Sequence, residues 1–229
     1  MKAFIIYQKE NPDSVKVTKV LKESIEQTQS AIDVELFNGT TPSTIDKDIP
    51  DSLFEITYTY PRGGQRRYDK RTNLLLTGYN ATSTEVKLAC TLSHARLWNK
   101  CVELDEEIMI LEHDALFLRK FEPFEWEGGI LGLNDPRGAT RKSMVFHTEA
   151  SKVNGISTCP FVDTEPVPQG LAGNSAYIIK SFAAKHLLDK LEEFGAWPND
   201  ALMCNQVCPW LKVIYPYYTR VQGGISTTT

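Results

Sequence analysis

The stretch that decides the fold is "KAFIIYQKENPDSVKVTKVLKESIEQTQSAIDVELFNG", residues 2–39. Its first six residues are rich in β-branched and aromatic side chains, which is typical of a strand. Apolar residues then recur at helical spacing, and Asp13 or Ser14 can cap that helix. Residues 32–39 alternate in polarity and end in Asn-Gly, which indicates a second strand followed by a turn. This strand–helix–strand opening predicts parallel strands joined by a right-handed crossover.

The rest of the sequence continues the alternation of strands and helices. Helices are predicted at 84–104 and 181–194, and strands at 107–111, 128–134, 175–180 and 212–218. The helix at 84–104 is apolar on two sides, which indicates that it packs between two layers. We expect an α/β protein with a mainly parallel central sheet. Its less regular parts are a loop at 40–80 with one short strand at 53–60, an irregular stretch at 135–170, and an extended tail at 223–229.

The composition is that of an ordinary globular protein. The 229 residues carry a formal net charge of -4, so the molecule as a whole has no electrostatic reason to seek nucleic acid. No apolar run is long enough to cross a bilayer, and the five cysteines form no disulfide-like pattern. Since no linker divides the chain, we expect one domain over residues 1–229, in a reduced cytoplasmic protein without a membrane span.

An acidic triplet interrupts the buried strand in "IMILEHDALF", residues 108–117. Desolvating a carboxylate is costly unless a cation or hydrogen-bond donors compensate it. In extended backbone Glu112 and Asp114 would face one side and His113 the other. Two carboxylates on one side suit Mg²⁺ or Mn²⁺ bound together with substrate phosphates. The alternative is a solvated turn at the end of the strand.

Several motifs resemble glycosyltransferase family 25. The first, at residues 88–117, pairs a helix containing Cys90, Ser93, His94 and Trp98 with a strand that ends Leu-Glu-x-Asp. "GNSAYIIKSFAAKHLLDKL", residues 173–191, is similar to the family's Gly-Thr-x-x-Tyr stretch and the helix that follows it. Weaker similarities lie in "FNGTTP", "WPNDALMCNQ" and "YYTRVQGGISTT". Two departures stand out: His113 replaces the central Asp of the family triplet, and "KENPDS" lacks the usual Asp-Arg.

This resemblance implies a GT-A-like, Rossmann-type fold, with residues 1–117 binding the donor nucleotide and 118–229 the acceptor. It implies an inverting enzyme that moves a hexose or pentose from a nucleotide donor, usually UDP-linked, to an acceptor hydroxyl. The acceptor would be a saccharide such as a lipopolysaccharide glycan. An inverting transfer needs a base, normally a carboxylate, that takes the proton of the acceptor hydroxyl.

The resemblance also suggests roles for individual residues. Asp200 would be the base, although it could equally cap a helix. Asp114 would hold the divalent ion, with Glu112 supporting it or contacting the donor. His94 could line the donor pocket or be an ordinary core histidine. Further donor-binding candidates are Tyr7, Asn38, Gly39 and Ser93, and substrate-binding candidates are Asn174 and Ser175.

The basic segment "PRGGQRRYDKR", residues 61–71, leaves several functions open. Arg62, Arg66 and Arg67 could clamp the donor diphosphate or an anionic acceptor, because arginine binds phosphate bidentately. With Tyr60 and Tyr68 they could track a nucleic-acid backbone, as in an enzyme that glycosylates a hydroxylated DNA base. A solvated loop is the simplest alternative. Other functional classes are a nucleotide-sugar binding protein without activity and a metal-dependent phosphohydrolase. The oligomeric state is not predicted.

Overall fold

The computed structural model describes residues 1–49, 56–79, 83–139 and 142–223. The strands in these ranges are β1 (Lys2–Tyr7), β2 (Asp33–Asn38), β3 (Arg66–Asp69), β4 (Leu74–Thr77), β5 (Ile108–Glu112), β6 (Ala115–Phe117), β7 (Ile130–Gly132), β8 (Gly155–Thr158), β9 (Ala176–Ile179), β10 (Leu211–Tyr215) and β11 (Thr219–Val221). The helices are α1 (Pro12–Thr28), α2 (Ile45–Asp48), α3 (Thr84–Leu104), α4 (Ser143–Ala150), α5 (Ser181–Phe194) and α6 (Asn199–Leu202).

Seven strands form the central sheet, in the order β2-β1-β5-β9-β7-β10-β8. β1 pairs in parallel with β2 and β5, and β7 pairs in parallel with β10. β9 runs antiparallel to both β5 and β7, and β8 runs antiparallel to β10. Five of the seven strands therefore point the same way, which confirms the predicted α/β class with a mainly parallel sheet.

Side-chain alternation along the strands divides the core between the two faces of the sheet. Phe4, Ile108 and Ile110 join a cluster that includes buried residues of α3 and α5. Their neighbours Ile5 and Met109 join a second cluster, which includes Leu21 of α1. Helices therefore cover both faces, as a parallel sheet requires, because its strands are buried on both sides.

Local signals explain the helix boundaries. Asn11, rather than the predicted Asp13 or Ser14, caps α1, because its side chain accepts hydrogen bonds from the backbone N–H groups of both residues. Ser83 caps α3 by accepting from the N–H of Val86. α3 has the predicted bounds and is buried on more than one side between α2, α5 and the sheet, as its two apolar faces indicated.

The irregular regions contain more structure than the sequence predicted. The basic segment contributes β3 to a hairpin with β4, and α4 and β8 lie within the stretch predicted as irregular. These elements are short, and β3 and β8 lack the apolar alternation of a half-buried strand, so pattern reading missed them. From the predicted strand at 53–60, residues 56–60 contribute an isolated bridge between Tyr58 and Ala196. Residues 53–55 and most of the predicted extended tail lie outside the described ranges.

Among the described residues, no helix is both long enough and apolar enough to cross a membrane.

Candidate functional site

Three adjoining cavities form the candidate site, and the first of them lies at the carboxyl ends of β1, β2 and β5, where ligands gather in α/β proteins. The "α3 cavity" has a volume of about 200 Å³, and its walls include Tyr7, Gly39, Thr40, Ser93 and Glu112. The "central cavity" measures about 260 Å³ and is bounded by Tyr79, Lys87, Glu112, Asn174 and Asp200. The "hairpin cavity" measures about 530 Å³ and includes Tyr60, Arg66, Tyr79, Lys142 and Asp200.

Shared residues connect the three cavities in a row. Glu112 and Cys90 line both the α3 cavity and the central cavity. Tyr79 and Asp200 line both the central cavity and the hairpin cavity. The two carboxylates singled out in the sequence therefore stand at the two ends of the central cavity, Glu112 on one side and Asp200 on the other.

A buried hydrogen-bonded chain leads to Glu112. The indole N–H of Trp98 donates to the hydroxyl of Tyr177 at 2.9 Å, and that hydroxyl lies 2.8 Å from Nδ1 of His94. Nε2 of His94 in turn lies 3.2 Å from Oε1 of Glu112. Trp98, Tyr177 and His94 are almost fully buried, whereas the Glu112 side chain is 32% exposed. The chain therefore carries a fixed hydrogen bond from the core to a carboxylate that reaches two cavities.

The tautomer of His94 follows from the hydrogen-bond donors of Trp98 and Tyr177. Tyr177 accepts from Trp98, and its own proton has no acceptor other than Nδ1 of His94 in the described part of the chain. Nε2 therefore carries the remaining proton of a neutral imidazole and donates it to Glu112. Burial opposes ionisation of Glu112, but the hydrogen bond from His94 holds the pKa of its carboxyl below the usual value. His94 is thus a core histidine and a wall of the α3 cavity at once.

Asp114 differs from Glu112 in its surroundings. Its Oδ1 is buried without a hydrogen-bond partner among the described residues. Burial, together with the charge of Glu112, raises the pKa of Asp114 to about 6. Asp114 is not among the residues lining the three cavities, while His113 lines the α3 cavity together with Glu112. The expectation that His113 points away from Glu112 is therefore wrong, because β5 ends at Glu112 and the alternation does not continue through the turn at 113–114.

Asp200 lies in the first turn of α6, and the capping position of that helix is Pro198. The alternative that Asp200 is a helix cap is therefore wrong. Oδ2 of Asp200 accepts a hydrogen bond from the hydroxyl of Tyr79 at 3.0 Å. Burial raises the pKa of Asp200, while Tyr79, Lys87 and the N–H of Ala201 counteract that rise. A half-buried carboxylate with a raised pKa beside a cavity has the properties of a proton acceptor.

Some of the predicted donor-binding residues lie together in the α3 cavity. Tyr7, Gly39 and Ser93 line the α3 cavity with His94 and Glu112. Ser93 also has a structural function, because its hydroxyl donates to the carbonyl of Ala89 and accepts from the N–H of Thr40. Asn38 is exposed and not among the lining residues, and its side chain accepts from the N–H of Lys9.

Of the predicted substrate-binding residues, too, some line a cavity and others do not. Arg66 lines the hairpin cavity, and its guanidinium donates to Glu165 at 2.8 Å. Arg67 donates to the carbonyl of Thr59, and Arg62 is exposed; neither lines any of the three cavities. Asn174 lines the central cavity.

Asn174 and Ser175 are both more than nine-tenths buried. Both amide atoms of Asn174 and the hydroxyl of Ser175 lack hydrogen-bond partners among the described residues. An unpaired buried amide is costly, so the side chain of Asn174 is suited to bind a polar ligand in the central cavity. Ser175 is not among the lining residues, but its carbonyl accepts from the N–H of Glu112 at 2.7 Å.

Sequence reasoning missed Tyr79 and Lys87. Both line the central cavity, and Nζ of Lys87 lies 5.2 Å from the centre of the Tyr79 ring. Lys87 belongs to the first turns of α3, where a lysine is an ordinary surface residue in a helix pattern. Tyr79 follows a short strand in a region without recognisable motifs. No local signal separates either residue from its neighbours.

The carboxylates suit a hard divalent ion. Asp114 has a buried, unpaired oxygen and a raised pKa, which together indicate a charge that the protein itself does not compensate. Glu112 uses Oε1 for His94, which leaves its second oxygen to bind a ligand. Such oxygen donors match Mg²⁺ or Mn²⁺. Ligand atoms of Cys90, His94 and Glu112 also lie within 4.8 Å of one another, but Nε2 of His94 is already hydrogen-bonded to Glu112.

The fold and the site define an α/β protein with a polar ligand site at the carboxyl ends of its parallel strands. Residues 12–127 match the sequence profile of glycosyltransferase family 25 (LPS biosynthesis protein). The chain belongs to this family and is a glycosyltransferase. No curated protein matches the sequence. Among solved structures, the apo form of mouse xyloside xylosyltransferase 1 is similar, with 14% identity and a TM-score of 0.40 over 89% of this chain and 81% of that chain.

Proposed function

We propose that this glycosyltransferase moves a sugar from a UDP-linked donor to a hydroxyl of a saccharide, such as a lipopolysaccharide glycan, with inversion. We also propose that it acts in the cytoplasm. The observation that carries the proposal is the row of three cavities, with Glu112 between the first and second and Asp200 between the second and third. A donor nucleotide would occupy the α3 cavity, its sugar the central cavity, and the acceptor the hairpin cavity.

The same arrangement supports different roles for the two halves of the chain. Residues 1–117 contribute most of the α3 cavity and would form the donor nucleotide-binding half. Residues 118–229 contribute Asn174, Asp200 and much of the hairpin cavity, and would form the acceptor-binding half. The boundary is not strict, because Arg66 and Tyr79 also line the hairpin cavity.

The proposed chemistry is a single displacement. The acceptor oxygen attacks the anomeric carbon, the bond from that carbon to the diphosphate oxygen breaks, and Asp200 takes the hydroxyl proton. Lys87 places a positive charge beside the central cavity, and the amide of Asn174 would bind sugar hydroxyls. A divalent ion held by Glu112 and Asp114 would neutralise charge on the leaving diphosphate. Glu112 itself is held in place as an anion by His94.

The test is UDP release from UDP-galactose, UDP-glucose, UDP-xylose and UDP-N-acetylglucosamine. Each is measured with and without Mn²⁺, and with neutral oligosaccharides, phosphorylated saccharides or hydroxymethylated DNA as acceptor. We expect release to depend on a saccharide acceptor. Release without any acceptor would indicate a hydrolase instead, and binding without release would indicate a nucleotide-sugar binding protein. Turnover only with DNA, strongly weakened by salt, would make DNA the substrate.

Asp200→Asn tests the base within the same assay. Donor and Mn²⁺ binding should survive, while kcat falls about 10²–10⁴-fold, the usual contribution of a positioned proton acceptor. Asp189→Asn is the matched control, because Asp189 is an exposed residue of α5 that pairs with Lys185 far from the cavities. An Asp200→Asn enzyme with the parent kcat would refute the base assignment.

A further inference from the structure

The hairpin of β3 and β4 leads directly to Tyr79, whose hydroxyl donates to Asp200. An ionised carboxylate can only accept hydrogen bonds, so the proton in this contact belongs to Tyr79. Tyr79 lines both the central cavity and the hairpin cavity, as Asp200 does. The contact therefore lies where the proposed donor sugar and acceptor would meet.

Backbone contacts fix the position of Tyr79. It pairs with Arg62 in a β-bridge, and the N–H of Gly78 donates to the carbonyl of Gln65 at 2.8 Å. A side chain at position 78 would not fit, because its Cβ would lie 2.7 Å from the carbonyl oxygen of Pro61. The glycine thus allows the close approach of the two backbone segments that carry Tyr79 and Arg62.

Aromatic packing fixes the ring as well. The Tyr79 ring stacks on Tyr60, with centroids 6.0 Å apart and an interplanar angle of 19°. Tyr60 is buried and packs edge-on against Trp197, three residues before Asp200. The hairpin backbone and the aromatic packing next to α6 therefore both fix the position of the Tyr79 ring. In this position its hydroxyl donates to Asp200.

We propose that Tyr79 is a positioning residue of the transfer reaction, whose hydroxyl orients Asp200 and stabilises its ionised form. The proposal rests on the proposed function of Asp200 as the base. It assigns a function to the basic segment that differs from anion binding: the segment supplies β3, one of the two strands of the hairpin that positions Tyr79. The carboxylate oxygen that does not bind Tyr79 is then the one that takes the acceptor proton.

The charges around Asp200 set the expected direction of the effect. Lys87 of α3 and Tyr79 favour the ionised carboxylate, whereas burial and Glu112 of β5 favour the protonated form. Burial and Asp200 together raise the pKa of Tyr79 well above its ordinary value, so the phenol stays protonated across the working range of the enzyme. The other titratable groups that sense Asp200 are Tyr58, Tyr60 and Cys90.

The test is Tyr79→Phe, which keeps the ring and its stacking but removes the hydroxyl. Without this donor the pKa of Asp200 rises, so the acidic limb of the kcat–pH profile should move up by about one pH unit. The loss of kcat should be largest at low pH, and a smaller loss should remain above the new limb because Asp200 is less well oriented, with the donor KM unchanged. Tyr68→Phe is the matched control, because Tyr68 lies exposed on the same hairpin and bonds to Asn73.

A second measurement does not depend on turnover. Carbon-13 NMR of aspartate-labelled protein follows the titration of Asp200, whose resonance is identified by its absence in Asp200→Asn. The Asp200 titration should move to higher pH in Tyr79→Phe and stay in place in Tyr68→Phe. An unchanged Asp200 titration or kcat–pH profile in Tyr79→Phe overturns the positioning role. Full kcat in Asp200→Asn instead overturns the proposed base, so the two failures can be told apart.

Discussion

Nε2 of His94 lies 3.2 Å from Oε1 of Glu112, so the carboxylate at the end of β5 has a hydrogen-bond donor that comes from within the core. This contact explains how a charged residue follows four buried residues of the strand. Asp114, two residues further on, has a buried oxygen without such a partner. The protein therefore compensates one carboxylate of the triplet itself, and we propose that a divalent ion compensates the other.

Tyr177→Phe should show how much the buried chain contributes to stability. The change leaves Nδ1 of His94 and the indole N–H of Trp98 without their partner in the interior. We expect the free energy of unfolding, measured with urea, to fall by about 1–3 kcal/mol. Tyr218→Phe is the control, since Tyr218 is also buried but its hydroxyl makes no hydrogen bond to the described residues. Equal losses of stability in the two variants would contradict a stabilising contribution of these buried hydrogen bonds.

Asp114→Asn should stabilise the protein at neutral pH in the absence of metal. The pKa of Asp114 is raised from 3.8 to about 6, so the native state loses stability as the pH rises through this window. Asn does not ionise, so the variant should have the higher Tm at pH 8 and a similar Tm near pH 3.5. Each kcal/mol corresponds to about 2–4 °C for a chain of this size.

In the presence of Mn²⁺ the parent protein, and not Asp114→Asn, should have the higher Tm. If Asp114 is a ligand, Mn²⁺ raises the Tm of the parent protein and has little effect on Asp114→Asn, because ligands that bind only the native state stabilise it. The same thermal melts therefore test the metal site without an activity assay. Equal Mn²⁺-dependent shifts in both proteins would remove Asp114 from the metal site.

Arg66→Ala should raise the acceptor KM and leave the donor KM unchanged, because Arg66 lines the hairpin cavity. Arg67→Ala is the natural control, since Arg67 is a neighbour of the same type that binds the carbonyl of Thr59 instead of lining a cavity. The pairing of Arg66 with Glu165 adds a test of acceptor charge. Glu165→Gln should lower KM for a phosphorylated acceptor and leave KM for a neutral saccharide unchanged. A donor KM that rises in Arg66→Ala would place this residue on the donor side.

Gly170→Ala should lower kcat with donor affinity retained. A Cβ at this position would lie 2.8 Å from the carbonyl oxygen of Asp200 and even closer to that of Met203. Both atoms belong to the backbone at α6, so the helix must move and take Asp200 with it. Isothermal titration with UDP and kcat measurements on the same sample would separate the two effects. A parent-like kcat would mean that the position of Asp200 tolerates this displacement.

Family motifs in the sequence singled out several residues that the structure brings together around the α3 cavity. Glu112, His94, Ser93 and Gly39 were identified from the sequence and line one cavity in the structure. The failure at His113 has a local cause, because the alternation used to orient the triplet ends with the strand at Glu112. Asn38 lies exposed at the end of β2 and does not line this cavity, and its binding of a donor stays a prediction.

The hairpin cavity was less predictable because its lining residues come from distant segments. Tyr79 and Asp200 are 121 positions apart, and their hydrogen bond depends on a hairpin whose two strands are only four residues long, too short to give a strand pattern. The predictions for the basic segment ranged from a solvated loop to a site for the donor diphosphate, an anionic acceptor or nucleic acid. In the structure Arg66 and Arg71 bind the carboxylates of Glu165 and Asp69, so much of the segment's charge is balanced internally.

The sequence by itself determined the elements that depend on periodic patterns: the parallel opening, the two long helices, and the strand that ends at Glu112. These follow from the burial of apolar residues at fixed spacing, which is a property of neighbouring positions. Only the tertiary structure decided which polar groups meet, because those contacts join segments far apart in the chain. His94 reaches Glu112 through the packing of α3 on the sheet, and Tyr79 reaches Asp200 through the hairpin and α6. Such meetings depend on distances of a few ångströms, which no pattern of residue types along the chain encodes.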